Sequence, residues 1–213
     1  MRKGTARALA AVASALLVGT GVAQQPTGAE TSEGFSAEER RRLSSGQLVT
    51  RPVERQRGGM HLIGGSAWQV IEQPAEVTWR ALEDTAAYVH MLPAAQDARL
   101  VGRQGEDRIV AIRHAAGLVR ARYHLRMTLD PARRDLAFRL DRQRPSDLRA
   151  AWGFLHVTPY EESPTRSLVS YGVMADPGGG VLGGVLRGQL HDWLLRVPST
   201  IRGYLHGAGA GRY

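Results

Sequence analysis

Two periodicities divide the chain. From about Ala98 to Ala175 apolar and polar residues alternate in short runs, the pattern of strands with one buried and one wet face. Six runs stand out, at residues 98–102, 108–115, 118–129, 136–142, 149–157 and 167–175. Turn formers separate them at Gln104-Gly105-Glu106, Ala116-Gly117, Asp130-Pro131 and Ser163-Pro164. An extended run holding Trp68, Val70 and Ile71, ended by Gln73-Pro74, brings the strand count to seven. After the strands the period changes. Leu182, Val185, Leu186, Leu190, Trp193, Leu194, Val197, Ile201, Tyr204 and Leu205 share one helical face. Residues 181–205 therefore predict a long amphipathic helix closing one face of an antiparallel sheet, with a kink or break at Pro198, which lacks the N–H a helix interior uses.

Shorter helices precede the strand series. Ser36 with Glu39 three positions on is a capping-box pattern that opens a charged helix over residues 36–45. Its charges predict a solvated helix that only leads into the domain. The polar stretch 50–59 admits an irregular first strand. Pro74 begins another helix, with Glu76 in its first turn and Val77, Ala81 and Leu82 near Trp79. A further helix over residues 85–92 ends before Pro93.

Composition narrows the setting. With 213 residues and 43% hydrophobic content the chain suffices for one well-packed domain plus appended segments. Its first residues have a basic start, a small-residue apolar run at 8–18 and Gly21-Val22-Ala23 before Gln24, the anatomy of a cleavable signal peptide. The apolar run is shorter than the ~20 residues a membrane span needs. The expected division is a signal peptide at 1–23, a linker with the short helix at 24–57, the domain at 58–206 and a C-terminal tail at 207–213. The expected destination is periplasmic or secreted. No cysteine occurs, which excludes lipidation at a cysteine, disulfides and thiolate metal sites. The formal charge of +8 falls to +5 without the first segment, where 25 arginines stand against 20 acidic residues. Lys3 is the one lysine. No nucleic-acid motif accompanies the charge, so no nucleic-acid partner is expected.

Few residues signal chemistry. Seven histidines are scattered without a His-x-x-x-His pair on a predicted helix, so neither a metal nor another cofactor is expected. The glycine-rich run at 178–184 lacks the Gly-Lys-Ser/Thr of a phosphate loop and reads as a connector or as a mobile gate over a cavity mouth. Ser170 has no spaced acid–base partners, so a nucleophilic triad is unsupported.

The strand faces carry more. In residues 118–129 Val119, Ala121, Tyr123, Leu125, Met127 and Leu129 occupy one face, and Arg120, Arg122, His124 and Arg126 the other. On neighbouring strands Phe138, Leu140, Trp152, Phe154, Val169, Tyr171 and Val173 are assigned inward. Periodicity alone leaves open whether such residues fill a core or line a pocket. The arginine face forms a stripe that suits transient contact with an anionic membrane surface, unless it is simply a solvated sheet face.

The residues also carry a family resemblance. The order strand, two short helices, six antiparallel strands and long helix, together with AWQVIEQPAEVTWRALEDTAAYVHMLP, DLRAAWGFLHVTPY and TRSLVSYGVMADPGG, resembles the START-like or SRPBCC superfamily, also called polyketide cyclase/dehydrase-like, over about residues 58–206. The resemblance implies an α+β helix-grip fold: a curved seven-stranded antiparallel sheet wrapped around the C-terminal helix, two short helices after the first strand, and an elongated apolar cavity. It turns the inward residues into cavity-lining candidates: Tyr123, Met127, Phe138, Trp152, Phe154, Tyr171, Leu190 and Trp193. The implied function is binding or carrying a hydrophobic small molecule such as a lipid, sterol or polyketide-like compound. The alternative is a cyclase/aromatase-type enzyme using Arg149, His156, Tyr171 or His191 as acid or base. Export favours the carrier, because polyketide cyclases meet carrier-bound intermediates in the cytoplasm.

Overall fold

The computed structural model describes residues 34–116, 119–178 and 187–213. The predicted signal peptide and most of the glycine-rich run lie outside the described residues. One antiparallel sheet organises the rest. Its strands are β1 (Val49–Arg57), β2 (Met60–Ile71), β3 (Ala95–Gln104), β4 (Asp107–Ala116), β5 (Val119–Asp130), β6 (Asp135–Leu140), β7 (Ala150–Pro159) and β8 (Ser167–Asp176). They lie in the order β1-β2-β8-β7-β6-β5-β4-β3. Consecutive strands from β3 to β8 pair as neighbours, and β8 then pairs with β2. The helices are α1 (Ala37–Ser44), α2 (Ala75–Glu83), α3 (Tyr88–Met91), α4 (Arg187–Leu195) and α5 (Val197–His206). The architecture is the α+β helix-grip fold.

The sheet has eight strands rather than seven. Arg57 to Val49 pair residue by residue with Met60 to Trp68 across a turn in which Gly58 and Gly59 both take positive φ, +55° and +75°. Two consecutive positive φ values make the tight hairpin turn that suits the twist of the strands. The sheet thus begins ahead of the expected domain start at 58, in the polar stretch 50–59 that admitted an irregular first strand. β1 escaped the alternation pattern because it is an edge strand in which Val49 alone is buried.

Helical expectations change in detail. Residues 85–92 form a 3-10 turn over Thr85–Ala87, where the Asp84 side chain accepts from the Ala86 N–H at 3.0 Å, and then the single turn of α3. The closing helix is two helices among the described residues, α4 and α5, interrupted at Arg196. Pro198 lies in the first turn of α5, where a missing N–H removes no helical hydrogen bond. The break therefore precedes the proline. Val197, Ile201, Tyr204 and Leu205 are buried as their spacing predicts, in one cluster with Ile71, Trp79, Val169 and Tyr171, and Leu195, which lies outside the predicted stripe, is buried with them.

α4 is held at a special place in β2. Gly64 and Gly65 have φ of +156° and +136°, and a Cβ at either would fall within about 2 Å of a neighbouring strand's carbonyl oxygen, that of Val173 or Arg51. Only glycine fits there. His191 Nε2 of α4 reaches this point, 3.1 Å from the Gly64 nitrogen and 2.9 Å from its carbonyl oxygen.

The other face of the sheet has its own layer. α1 is capped as expected: the Ser36 hydroxyl accepts from the Glu39 N–H at 3.2 Å, and the Glu39 carboxylate accepts from the Ser36 N–H at 2.7 Å. It does more than lead into the domain. Leu43 is 1% exposed and packs in a second cluster with Phe35, Val49, Trp68, Val70, Tyr160 and Leu168. Arg51 joins the layers, donating to Glu39 at 2.9 Å and stacking its guanidinium over Trp68 at 5.1 Å. Its hydrogen bonds, with the Ser36 N–H, hold the Glu39 carboxyl down to about 2.

Leu43→Ala is expected to cost ~2–5 kcal/mol of unfolding free energy, measured by urea denaturation, through the cavity it leaves. The same variant should bind an apolar probe like the parent protein, because its cluster lies on the opposite face from the cavity described next.

Candidate ligand-binding cavity

The concave face of the sheet is incompletely filled. A cavity of about 160 Å³ remains between it and the helices, with a wall that is almost entirely apolar. β4 contributes Ile112 and His114; β5 contributes Ala121, Tyr123, Leu125 and Met127. Leu136 and Phe138 come from β6, and Tyr171, Val173 and Ala175 from β8. Tyr88 and Met91 of α3, Leu190, Trp193 and Leu194 of α4, and Val197 and Ile201 of α5 close it from above. An engineered apolar cavity of about 150 Å³ holds a benzene molecule, so a group of one-ring size fits here without movement.

Six of the eight predicted lining residues are in this wall: Tyr123, Met127, Phe138, Tyr171, Leu190 and Trp193. Trp152 and Phe154 are not. They occupy the opposite face of β7, and Ala151 and Leu155 face the cavity in their place. The reversal has a packing cause. Phe138 of β6 stands opposite Gly153, and a Cβ on Gly153 would lie 2.4 Å from the Phe138 ring, so the inner surface of β7 must be small where Phe138 crosses it. On the outer surface the ring of Phe154 lies over Gly172 in the same way, 2.4 Å from where a Cβ would stand. Large aromatics alternating along β7 thus fill the outer face, because the inner one receives its bulk from the neighbouring strand.

Of the acid–base candidates, only Tyr171 reaches the cavity. The Arg149 side chain donates to the Gly59 carbonyl at 3.2 Å and pairs with Asp176 at 3.7 Å, half-exposed. His156 Nδ1 bonds Asp135 on the outer face, and His191 is engaged by the β1 and β2 backbone. The arginine face of β5 also needs correction at one position. Arg126 is largely buried between Asp107 and Asp141, at 3.6 and 3.7 Å, whereas Arg122 is 79% exposed.

The sequence reading passed over His114. Its Nδ1 is 2.9 Å from the Pro93 carbonyl oxygen and its Nε2 is 2.7 Å from the Tyr123 hydroxyl. A carbonyl only accepts, so Nδ1 carries the proton, and the neutral ring then receives the Tyr123 O–H at Nε2. Burial holds the imidazole pKa below its ordinary 6.5 and so favours the neutral form; the bond to Pro93 opposes this only in part. Burial likewise pushes the Tyr123 and Tyr171 hydroxyls well above their usual range, so both stay protonated. The Tyr88 hydroxyl donates to the Leu82 carbonyl at 2.6 Å. A usable signal existed for His114: it shares the alternation of Val110 and Ile112 along β4.

A curved antiparallel sheet gripping a C-terminal helix around an apolar cavity defines a hydrophobic-ligand-binding class of fold. Within that class the chain belongs to the family described as polyketide cyclase/dehydrase and lipid transport, whose family model matches residues 71–196. No curated protein matches the sequence. Among solved structures, the Zhui aromatase/cyclase from Streptomyces sp. R1128 is similar at 16% identity and TM-score 0.58, covering 71% of this chain and 99% of its own. A START superfamily protein from Mycobacterium smegmatis is similar at 14% identity and TM-score 0.56, covering 68% and 98%. A STAR-related lipid transfer protein from Xanthomonas axonopodis follows at 12% identity and TM-score 0.53, covering 74% and 98%. These likenesses establish the fold, and the family supports binding of a hydrophobic small molecule.

The lowered His114 pKa has a measurable sign. Between the folded value and the 6.5 of an unfolded imidazole, the unfolded chain binds a proton that the folded chain does not, so stability falls as pH drops below 6.5. His114→Gln is expected to reduce the loss of unfolding free energy between about pH 7 and about pH 5, measured by urea denaturation of variant and parent. An unchanged pH dependence would contradict the buried neutral assignment.

Proposed function

We propose that the protein is an exported carrier that holds a hydrophobic small molecule between the sheet and α4–α5. The observation that carries this reading is the cavity itself: about 160 Å³ of space walled by aliphatic and aromatic side chains, in a fold whose family includes lipid transport. Its size favours an occupant whose buried part is a ring or a short chain; a whole sterol or bilayer lipid requires the roof to shift. The described wall holds one histidine, three tyrosines and one tryptophan, Trp193, as its residues with polar side-chain atoms. An enolising base for cyclase chemistry has one candidate there, His114, and its Nε2 is already engaged by Tyr123. That engagement favours binding over catalysis.

Export rests on the basic start, apolar run and Gly-Val-Ala site of residues 1–23. Transient contact with an anionic membrane belongs to the same reading, through the exposed Arg120 and Arg122.

Three measurements test it. Expressed with its leader in a bacterium, the protein should be recovered from the periplasm with an intact mass beginning near Gln24; a cytoplasmic product retaining Met1 sinks the export claim. Native mass spectrometry of that material followed by solvent extraction should release an apolar compound, and Ala121→Leu should weaken an environment-sensitive apolar probe about tenfold by occupying cavity space. A protein that emerges empty and is stabilised by no apolar compound ends the carrier reading.

A further inference from the structure

Pro93 and Trp193 line the apolar cavity, and the same two residues border an open depression on the protein surface. The two spaces therefore meet at that pair. Arg196, Ser199, Thr200 and Gly203 edge the depression, and their spacing of three and four sets them on one side of α5, away from the buried Val197, Ile201 and Leu205. Gly203 adds no bulk, since open space stands where its Cβ would be. Arg196 follows Trp193 by one helical turn, about 5 Å along the axis, and the Arg196 N–H donates to the Trp193 carbonyl at 3.3 Å. Both rims are held through their backbones. The Arg196 carbonyl accepts from the Thr200 N–H at 3.0 Å and from its hydroxyl at 2.9 Å, while the Pro93 carbonyl accepts from His114 Nδ1 at 2.9 Å. The Arg196 guanidinium itself is exposed and makes no ion pair or hydrogen bond among the described residues. No acidic residue lines the depression, and Asp192, the nearest in sequence, is exposed outside it. An apolar cavity thus has an uncompensated positive charge at its border.

We propose that the depression binds the carboxylate end of an amphiphile whose ring or short chain lies in the cavity, the molecule passing between Pro93 and Trp193. The Arg196 guanidinium takes the carboxylate in two parallel N–H···O bonds. The Ser199 hydroxyl, without a hydrogen bond among the described residues, can donate a third. One guanidinium balances one negative charge, which fits a carboxylate, whereas a phosphate monoester brings a second charge with no partner there. Trp193 is only partly buried, so it opposes the passage less than the packed residues of α5 would. This deepens the carrier reading and rests on it: the cavity supplies apolar burial, and Arg196 selects the charge and fixes which end stays outside.

Three probes separate the terms. 4-Phenylbutyrate and 4-phenylbutanol share a ring and a three-carbon linker and differ at the head group, and p-xylene reports the cavity alone. Each is titrated by calorimetry into the parent protein and into Arg196→Gln, Arg133→Gln and Ala121→Leu, and ratios between variants cancel the different hydration of the probes. Arg196→Gln is expected to weaken 4-phenylbutyrate about threefold to tenfold, between the size of an exposed ion pair and that of a charged hydrogen bond, and to leave the other two within about twofold. Arg133→Gln removes a charge from the exposed turn between β5 and β6 and should move none of them. Ala121→Leu fills cavity space and should weaken all three. Raising salt from about 50 mM to about 500 mM should weaken 4-phenylbutyrate in the parent protein more than in Arg196→Gln. No loss of 4-phenylbutyrate in Arg196→Gln, or an equal loss in Arg133→Gln, overturns the inference and leaves the carrier reading standing. So does a 4-phenylbutyrate that responds to Arg196→Gln and not to Ala121→Leu, since it then sits in the depression alone, and so does a parent protein that binds p-xylene but not 4-phenylbutyrate. If none of the three binds the parent protein, both fall together.

Discussion

A sheet of eight strands bent over one helical layer presents more apolar surface than that layer can cover, and this mismatch governs the molecule. The closing helices do not sit centrally. α5 packs against α3, β2 and β8, and α4 against β1, β2 and β8. There the contact is dense: Ile71, Ile201 and Leu205 are each at most 1% exposed, and each contributes about 1.5–3 kcal/mol by leaving water. Over β4, β5 and β6 the inward side chains find a thinner roof, and their tips border open space. The cavity is thus the place where one helical layer runs short of the sheet's width. It needs no special residue to create it, only the absence of bulk to fill it.

The open space is tolerated because stability is secured elsewhere. Two clusters lie on opposite faces of the same sheet, the larger around α2, α3 and α5, the smaller under α1. Ion pairs around the rim and outer face, such as Arg126 with Asp107 and Asp141, satisfy the charged residues of the strands without entering the cavity. The few polar groups that do enter are handled with economy. The Tyr88 hydroxyl and His114 each have backbone carbonyl partners, and Tyr123 takes the remaining nitrogen of His114. In a low-dielectric wall such bonds hold their direction firmly, since breaking one leaves a buried group unpaired. Pre-set donors and acceptors of this kind orient a ligand without adjustment of the wall.

Much of this architecture was legible in the sequence. Period-two alternation located β4 to β8 to within a few residues, and the three-and-four spacing of Leu190, Trp193, Val197 and Ile201 put the right helical face inward. β1 is an edge strand with one buried residue, so the polar stretch 50–59 showed it only as an irregular strand outside the seven counted. Two features were hidden for definable reasons. β7 has apolar side chains on both faces, and which face is inner is decided by Phe138 crossing Gly153 from the next strand, a contact the local pattern does not contain. The place of Leu43 was masked by the charges around it, although a lone leucine in AEERRRLS is the only large apolar anchor that helix has. His114 was legible by alternation but carried no spacing motif, and a single histidine gains chemical meaning only from partners brought by other strands.

The break between α4 and α5 bears on how a ligand larger than one ring reaches the cavity. α5 is tied at several points: Glu72 takes Arg202 at 3.0 Å and His206 at 2.9 Å, and the Tyr204 hydroxyl lies 3.0 Å from that of Tyr213, which donates to Asp84 at 2.8 Å. α4 has one polar tether among the described residues, His191 at the Gly64 position of β2. Because the helix is interrupted at Arg196, a shift of α4 need not unwind α5 or disturb the dense packing of Ile201 and Leu205. Leu190, Trp193 and Leu194, the part of the roof that α4 supplies, are only partly buried, so fewer contacts oppose their displacement. Widening the cavity through α4 therefore breaks less of the structure than any route through α5, and the position of the break, one turn ahead of the best-packed residues, separates the part of the roof that can yield from the part that holds the fold.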